Sequence, residues 1–424
     1  MTQTRISLAV VLAAFAAAPP ASGQSIAARV AAVRDGTVEM TYASRPNACG
    51  DGSDMTALGT LFMVYPSVQG HGWSNRSCTF GPARVVVTKR DGEVALVRTH
   101  VGPNRRSPSD ATDLGIVSAP EAAEFFLGIA ATARGRAAST ALMAAAFADS
   151  ADIWRRLLSL ARDDDRPRDT RNSALYWIAA VAPPEAAAPL AAIAKDRNES
   201  RPLREAAIMT LGQLDQGAGL SALIEMTQRD GDERWLREKA IFWLGNSGTE
   251  RGRTTVRALA TSDTLARDLR EQAIFALGFL DRDGDNGPFL RSLYARLDDR
   301  RLRDKAIQAI AQLDDREDEQ WVLARVLDTN EATELRKQAL FWSGQRSDSP
   351  LGELIALYPK LDSRELREHY VFVLSQRRES EALDKLIDLA TNDTDREIRA
   401  KATFWLGQSR DPRAAKFLED RISK

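Results

Sequence analysis

An Arg recurs eight times along this chain at nearly constant spacing, each time followed three residues later by a small or apolar residue. The residues are Arg171, Arg204, Arg237, Arg270, Arg303, Arg336, Arg367 and Arg399, at intervals of 33, 33, 33, 33, 33, 31 and 32. A fixed period in this range marks a solenoid, because one repeat cannot bury its apolar face alone and must stack on its neighbours. Stacked repeats present long surfaces, so the period favours binding over catalysis before any single side chain is considered.

Each repeat reads as a helix pair, A then B, with the Arg at position 0 of helix B. Position −1 is apolar in seven copies, from Leu203 to Ile398, and Thr170 in the first. Position +3 is Ala in every copy except Tyr370, position +7 is apolar except at Ser343, and position +8 is small throughout. Offsets of 3, 4 and 7 fall on one helical stripe, which must face the partner helix. Helix A carries its own stripe, as in Leu190, Ile193 and Ala194 or Leu383, Leu386 and Ile387. A turn rich in Asp separates A from B: Asp196, Asp230, Asp263, Asp298, Asp328, Asp362 and Asp393. Asp there can cap helix B or pair with a ladder Arg, bidentate in the best geometry. A degenerate first repeat is anchored at Ala138, and Asp411 to Lys424 reads as a last A-type helix closing the stack. The pattern predicts a mainly α protein: a right-handed α-solenoid of about nine helix pairs over residues 119–424.

The segment Leu-Arg-Glu-Lys-Ala-Ile-Phe-Trp-Leu-Gly at 236–245, with its copies, resembles the HEAT-like repeat of the short bilin-lyase type. The Asp turn, the Leu-Arg start, the Ala at +3 and the Leu-Gly at +7 and +8 carry the resemblance, which covers residues 119–424. It implies the fold. On activity it implies little: the group includes lyase subunits that handle bilin chromophores, and many more binding scaffolds.

Residues 24–118 are patterned differently, and read as a small α+β domain. Gly36 to Tyr42 alternates like a half-buried strand, and Gly59 to Tyr65 is a second candidate. Ala83 to Thr88 and Val94 to Arg98 flank Asp91-Gly92, a hairpin signal because tight hairpin turns need positive φ. Asn104 to Asp113 reads as a loop or linker. The only two Cys residues, Cys49 and Cys78, lie in this region. A disulfide is the expected reading, contributing roughly 3 kcal/mol by loop entropy. A metal site would need further ligands, for which only His71 and His100 are near.

The first 23 residues read as a secretory signal: Arg5, an apolar run from Ile6 to Ala18, and Ala21-Ser22-Gly23 as a cleavage site before Gln24. The mature protein is expected outside the cytoplasm, periplasmic or secreted. With 58 basic and 59 acidic residues, the chain has no bulk field to attract nucleic acid or an anionic membrane.

No conventional catalytic grouping stands out, and no cofactor or metal motif. Asp281-Arg282-Asp283-Gly284-Asp285 lacks the Glu that a calcium loop needs at its twelfth position. Asn47 to Gly52 is a turn-rich stretch around Cys49. The ladder Arg residues could bind anions, or lock A to B and repeat to repeat; a ligand site rarely needs so many copies, which favours the structural role. The face opposite the core stripe is more informative, and in HEAT-type solenoids it is the concave one. Position +5 carries Tyr176, Phe242, Phe275, Phe341, Phe372 and Phe404; position +9 carries Gln213, Asn246, Gln312, Gln345, Gln376 and Gln408. Aromatics give contact area at low entropy cost and amides hydrogen-bond an extended backbone, so these twelve residues are the candidate partner-binding set. The other reading is that the +5 rings, and the Trp residues at +6 (Trp177, Trp243, Trp342, Trp405), fill space between successive B helices. The expected function is an exported scaffold or adaptor for a protein or peptide. An enzyme or enzyme subunit, using residues 24–118 or a small ligand held by the solenoid, is the alternative; a purely structural envelope protein is a third.

Overall fold

The computed structural model describes residues 24–52, 55–58, 61–64, 78–102, 110–214, 217–228, 233–279, 285–313, 315–345 and 351–422. The chain forms two compact units, one ending at Val181 and one spanning Ala182–Lys424.

The first unit opens with helix α1 (Ile26–Ala31), N-capped by the Ser25 side chain, which accepts the Ala28 N–H. Strand β1 (Gly36–Tyr42) buries Val38, Met40 and Tyr42 on one face. β6 (Ala83–Arg90) and β7 (Glu93–Val101) form the expected hairpin, and both turn residues take positive φ, 54° at Asp91 and 81° at Gly92. Those angles give the primed turn whose twist matches its strands. β8 (Thr112–Ile116) joins the other edge parallel to β1, giving the order β7-β6-β1-β8. A second sheet, ordered β4-β3-β2-β5, is built from β2 (Ala48–Gly50), β3 (Met55–Leu58), β4 (Leu61–Val64) and β5 (Thr79–Phe80). The Cys49–Cys78 disulfide ties β2 to the residue before β5, with 5.3 Å between the Cα atoms. Both sulfurs are consumed in that bond, which overturns the metal reading; His71 lies outside the described residues, and His100 is buried on β7.

Two strand readings need correction. Thr112 and Asp113, read as linker, begin β8, while residues 103–109 lie outside the described set. The candidate strand at Gly59–Tyr65 is described only over Leu61–Val64. The short strands β2, β3, β5 and β8 had no periodic signature long enough to read.

From Ala119 the chain is helical. In the first unit α2 (Ala119–Thr132) pairs with α3 (Arg136–Phe147), and α4 (Trp154–Arg162) with α5 (Arg168–Val181). The main sheet docks onto the first pair. The Tyr42 hydroxyl donates to the Ala144 carbonyl at 2.6 Å, and Arg45 donates to the carbonyls of Ala146 and Ala151. Helix α3 is buried nearly all round, from Ala137 to Phe147, and its small Ala residues let other elements approach from several sides. The change from strand to helix pattern at residue 118 therefore falls inside this unit.

The second unit repeats the pair seven times: α6 (Ala187–Lys195) with α7 (Arg201–Gln213), α8 (Leu220–Gln228) with α9 (Arg234–Asn246), and α10 (Glu250–Thr261) with α11 (Arg267–Leu277). Then come α12 (Asn286–Arg296) with α13 (Arg300–Ala311), α14 (Arg316–Leu327) with α15 (Thr333–Gln345), α16 (Leu351–Leu357) with α17 (Arg364–Ser375), and α18 (Ser380–Asn392) with α19 (Arg396–Gln408). α20 (Pro412–Ile422) follows α19 as a further A-type helix. Together with the two pairs of the first unit, these make nine helix pairs among the described residues. The core stripe is buried as the offsets require: Leu236, Ala240, Ile241 and Leu244 in α9, and Leu269, Ala273, Ile274 and Leu277 in α11. Each fully buried Leu or Ile contributes about 1.5–3 kcal/mol. The +8 glycines seat the +6 residue of the next B helix: a Cβ on Gly212 would stand 2.8 Å from the Trp243 Cβ, and one on Gly344 would overlap the Val373 side chain. No helix among the described residues is long and apolar enough to cross a membrane.

The ladder Arg residues tie helix B to helix A, but their constant partner differs from the Asp expected. Each donates to a backbone carbonyl in the last turn of its own helix A or just beyond it. Nε reaches Ala161 from Arg171, Ala194 from Arg204, Thr227 from Arg237, Ala260 from Arg270, Leu297 from Arg303, Val326 from Arg336 and Leu361 from Arg367. Arg399 reaches the Asp393 carbonyl through Nη1. A cation there satisfies carbonyls that the helix leaves unpaired and opposes the negative end of its dipole. The carboxylate partner varies. Arg171 and Arg270 take Asp164 and Asp263 from their own turns, whereas Arg204, Arg303 and Arg336 take Glu233, Glu331 and Asp362 from the next repeat. Of these pairs Arg336–Asp362 is the bidentate one. Asp196, Asp328 and Asp393 instead close local turns by accepting the N–H two residues on.

Candidate partner-binding face

Within the second unit each B helix lies against the next B helix along much of its length, whereas A helices meet their A neighbours more sparsely. The B layer is therefore the more closely packed of the two. Its outward surface carries the +2, +5 and +9 side chains, because these point away from the core stripe at 100° per residue.

The +5 rings occupy that surface. Phe242, Phe275, Phe341 and Phe372 are half-buried, and Phe404 is 56% exposed. They touch across repeats: Phe341 stacks on Phe372 with ring centroids 6.5 Å apart, and Phe372 lies 5.4 Å from Trp405. Of the +6 Trp residues Trp177 is buried, whereas Trp243, Trp342 and Trp405 are half-buried like the +5 rings. Trp243 packs on Gly212, and Trp342 meets Phe341 edge-on. So Trp243 packs between neighbouring B helices at Gly212, and both the +5 rings and the later +6 Trp side chains stay partly open.

Phe279, at +9 in α11's repeat, belongs with this row although the candidate set omitted it. It is 46% exposed and bridges Phe242 at 5.8 Å and Phe275 at 4.7 Å. The aromatic row is interrupted at α13, where Gln308 stands at +5. Lys305 fills the gap, donating to the Gln308 Oε1 at 2.7 Å and lying 5.5 Å from the Phe275 ring centroid.

The amides are less uniform than the sequence implies. Gln312, Gln345, Gln376 and Gln408 are exposed, while Gln213 and Asn246 are partly buried. The Asn246 side chain donates to the Phe242 carbonyl of its own helix at 2.9 Å, so that donor is already used. Tyr176 lies in the first unit, half-buried and edge-on to the buried Trp177, and is described apart from this row.

His369, at +2 of α17, sits 5.7 Å from the Phe372 ring. Burial, and then the Lys337 ammonium, hold its imidazole below the ordinary value. The row is thus aromatic and amide-rich, with cations at Lys305 and Lys337. Among the described residues no cluster of His, Cys, Asp and Glu suits a metal ion. Asp281 to Gly284 lie outside the described residues, and Asp285 precedes the first residue of α12.

The sequence matches the family model for HEAT repeats over residues 154–245 and 353–424. No curated protein matches it. Among solved structures it is similar to human deoxyhypusine hydroxylase, at 16% identity and a TM-score of 0.28, covering 56% of this chain and 89% of that one. It is similar to the CpcE–CpcF complex of phycocyanin lyase from Nostoc, at 17% identity and a TM-score of 0.27, covering 59% and 94%. Importin beta is a third likeness, at 13% identity and a TM-score of 0.34, covering 67% and 46%. None of the three carries a function across to this chain.

Proposed function

We propose that this chain, a HEAT-repeat protein, is a scaffold that binds a protein or peptide along the B layer of its second unit, in a compartment outside the cytoplasm. The observation that carries the reading is the row of half-exposed rings touching across successive repeats, edged by exposed Gln side chains. Aromatic side chains left partly open on a repeat surface supply anchors of the kind that dominate interfaces. The Cys49–Cys78 bridge supports the compartment, since such bonds persist where the surroundings are oxidising. The apolar run and cleavage pattern of residues 1–23 support it too, and lie outside the described residues.

The test begins with affinity capture from the native envelope, using the mature chain as bait. Replacing Phe242, Phe275 and Phe341 together by Ala should then abolish binding of the captured partner, at about 2 kcal/mol or more for each true anchor. Replacing Gln345 and Gln408 by Ala should weaken it by about 0.5–1.5 kcal/mol per lost hydrogen bond. Thermal midpoints are measured in parallel. Phe variants that bind normally would move binding elsewhere, to the first unit or another face. An enzymatic role would be read out as turnover by the purified mature chain that the Phe variants leave intact.

A further inference from the structure

Among the described residues no further B helix follows α19, which presents the face that earlier B helices offer to their successors. Three features recur in those earlier contacts. The +8 Gly seats the +6 side chain of the next B helix, as Gly344 seats Val373. The ladder Arg reaches an acid that precedes the next B helix, as Arg336 reaches Asp362. The Arg three residues earlier pairs with an acid just before or in the first turn of the next B helix: Arg234 with Asp268, Arg267 with Asp299, Arg364 with Asp395. On α19 these positions are Gly407, Arg399 and Arg396. A Cβ on Gly407 would meet nothing nearer than Leu418, at 3.9 Å. Arg399 donates to the carbonyls of Asp393 and Thr394, and Arg421 of α20 to that of Ala390. Among the described residues neither these two nor Arg396 has a carboxylate partner. With the exposed Phe404, they line an open cleft of 690 Å³ that holds three guanidinium groups and no carboxylate.

We propose that this cleft docks an amphipathic helix of another protein, with an acidic residue at its N-terminal end and an apolar residue about three turns further on. Asp362 and Val373 play those parts within the chain, against Arg336 and Gly344. Charge selects the occupant. A two-fold pairing of this face with a second copy would set guanidinium against guanidinium. Head-to-tail stacking of copies would need a free first repeat, and α3 is already buried nearly all round. The site is separate from the aromatic row, sharing only Phe404 and Gln408 with the candidate set.

The probe is a dye-labelled, helix-stapled peptide of residues 361–376, titrated against the full mature chain by fluorescence anisotropy. Saturable binding is expected, weakened at least about tenfold by Gly407→Leu, which fills the seat, and by Arg396→Glu with Arg421→Glu. Asp362→Lys in the peptide should weaken it similarly, and added salt should weaken the parent pair. Gly407→Leu faces open space and should melt normally; if it does not, the double Arg variant decides. The proposal is overturned if the peptide fails to bind, if both the seat and the Arg variants bind it as the parent does, or if sedimentation shows copies associating through this face.

Discussion

Gly278 and Ala309 approach more closely than side chains allow: a Cβ on Gly278 would stand 2.6 Å from the Ala309 carbonyl oxygen and 2.7 Å from its Cα. Backbone lies on both sides of the contact, so neither partner can swing away. Gly278→Ala should therefore push α11 from α13 and cost about 1–3 kcal/mol. Gly407→Ala, where the same repeat position faces open space, should be neutral or stabilising by up to about 1 kcal/mol from helix propensity. Denaturant midpoints of the two variants check the contrast; equal effects would show that the close approach does not limit stacking.

Arg336 is the most fully engaged ladder residue, buried to 6% exposure, with Nε on the Val326 carbonyl and both Nη atoms on Asp362. Arg336→Ala should cost about 1–3 kcal/mol, because the carbonyl loses its donor and the repeat-to-repeat clasp is cut. Arg336→Lys should recover little of it, since an ammonium cannot serve the carbonyl and a bidentate carboxylate together. Arg270, with longer contacts to Ala260 and Asp263, should be less sensitive. A thermal melt in which Arg336→Ala matches the parent would make the ladder a surface feature.

Acid should destabilise the second unit through identifiable carboxylates. Hydrogen bonds from Arg336, Arg377 and Arg364 hold Asp362, Glu379 and Asp395 below their ordinary values of 3.8 for Asp and 4.5 for Glu. A carboxylate depressed in the fold stabilises it above the unfolded value, and that contribution is lost as pH falls through the folded one. The thermal midpoint should thus hold from neutrality to about pH 4.5 and fall below it. Asp304 runs the other way. Burial raises its carboxyl, and its buried Oδ1 has no hydrogen-bond partner among the described residues. Its ionised form is a cost at neutral pH that lessens on acidification. Asp304→Asn should leave stability at pH 7 unchanged or raised, and a clear loss there would show that the charge is used.

Export and the disulfide are tested together. Intact mass of the exported protein should place its N-terminus at or near Gln24, and non-reducing peptide maps should recover Cys49 joined to Cys78. Replacing both Cys residues by Ser should lower the stability of the first unit by about 3 kcal/mol. Two free thiols in the native protein, or residues 1–23 retained on it, would reject these expectations.

The helix-pair array was legible because a repeat writes each structural demand many times. Small residues at +3 and +8, apolar residues at −1, +4 and +7, and Arg at 0 recur in phase, and local helix periodicity turns them into one buried stripe. Asp91-Gly92 was equally legible, since a two-residue hairpin needs positive φ and few residues accept it. The Arg partners were not legible: choosing between a carbonyl six or ten residues back and an acid in the next repeat depends on how far one helix slides along another. Nor was the docking of the sheet on α3, which joins Tyr42 to Ala144 across a separation no local pattern records. The sequence alone determined which residues line the B-helix surface, because 100° per residue sets their direction. Only the tertiary structure decided that Trp243 packs on Gly212 and that the +5 Phe rings stay half open, because exposure depends on the spacing of neighbouring helices, which the close contacts at the +8 glycines set.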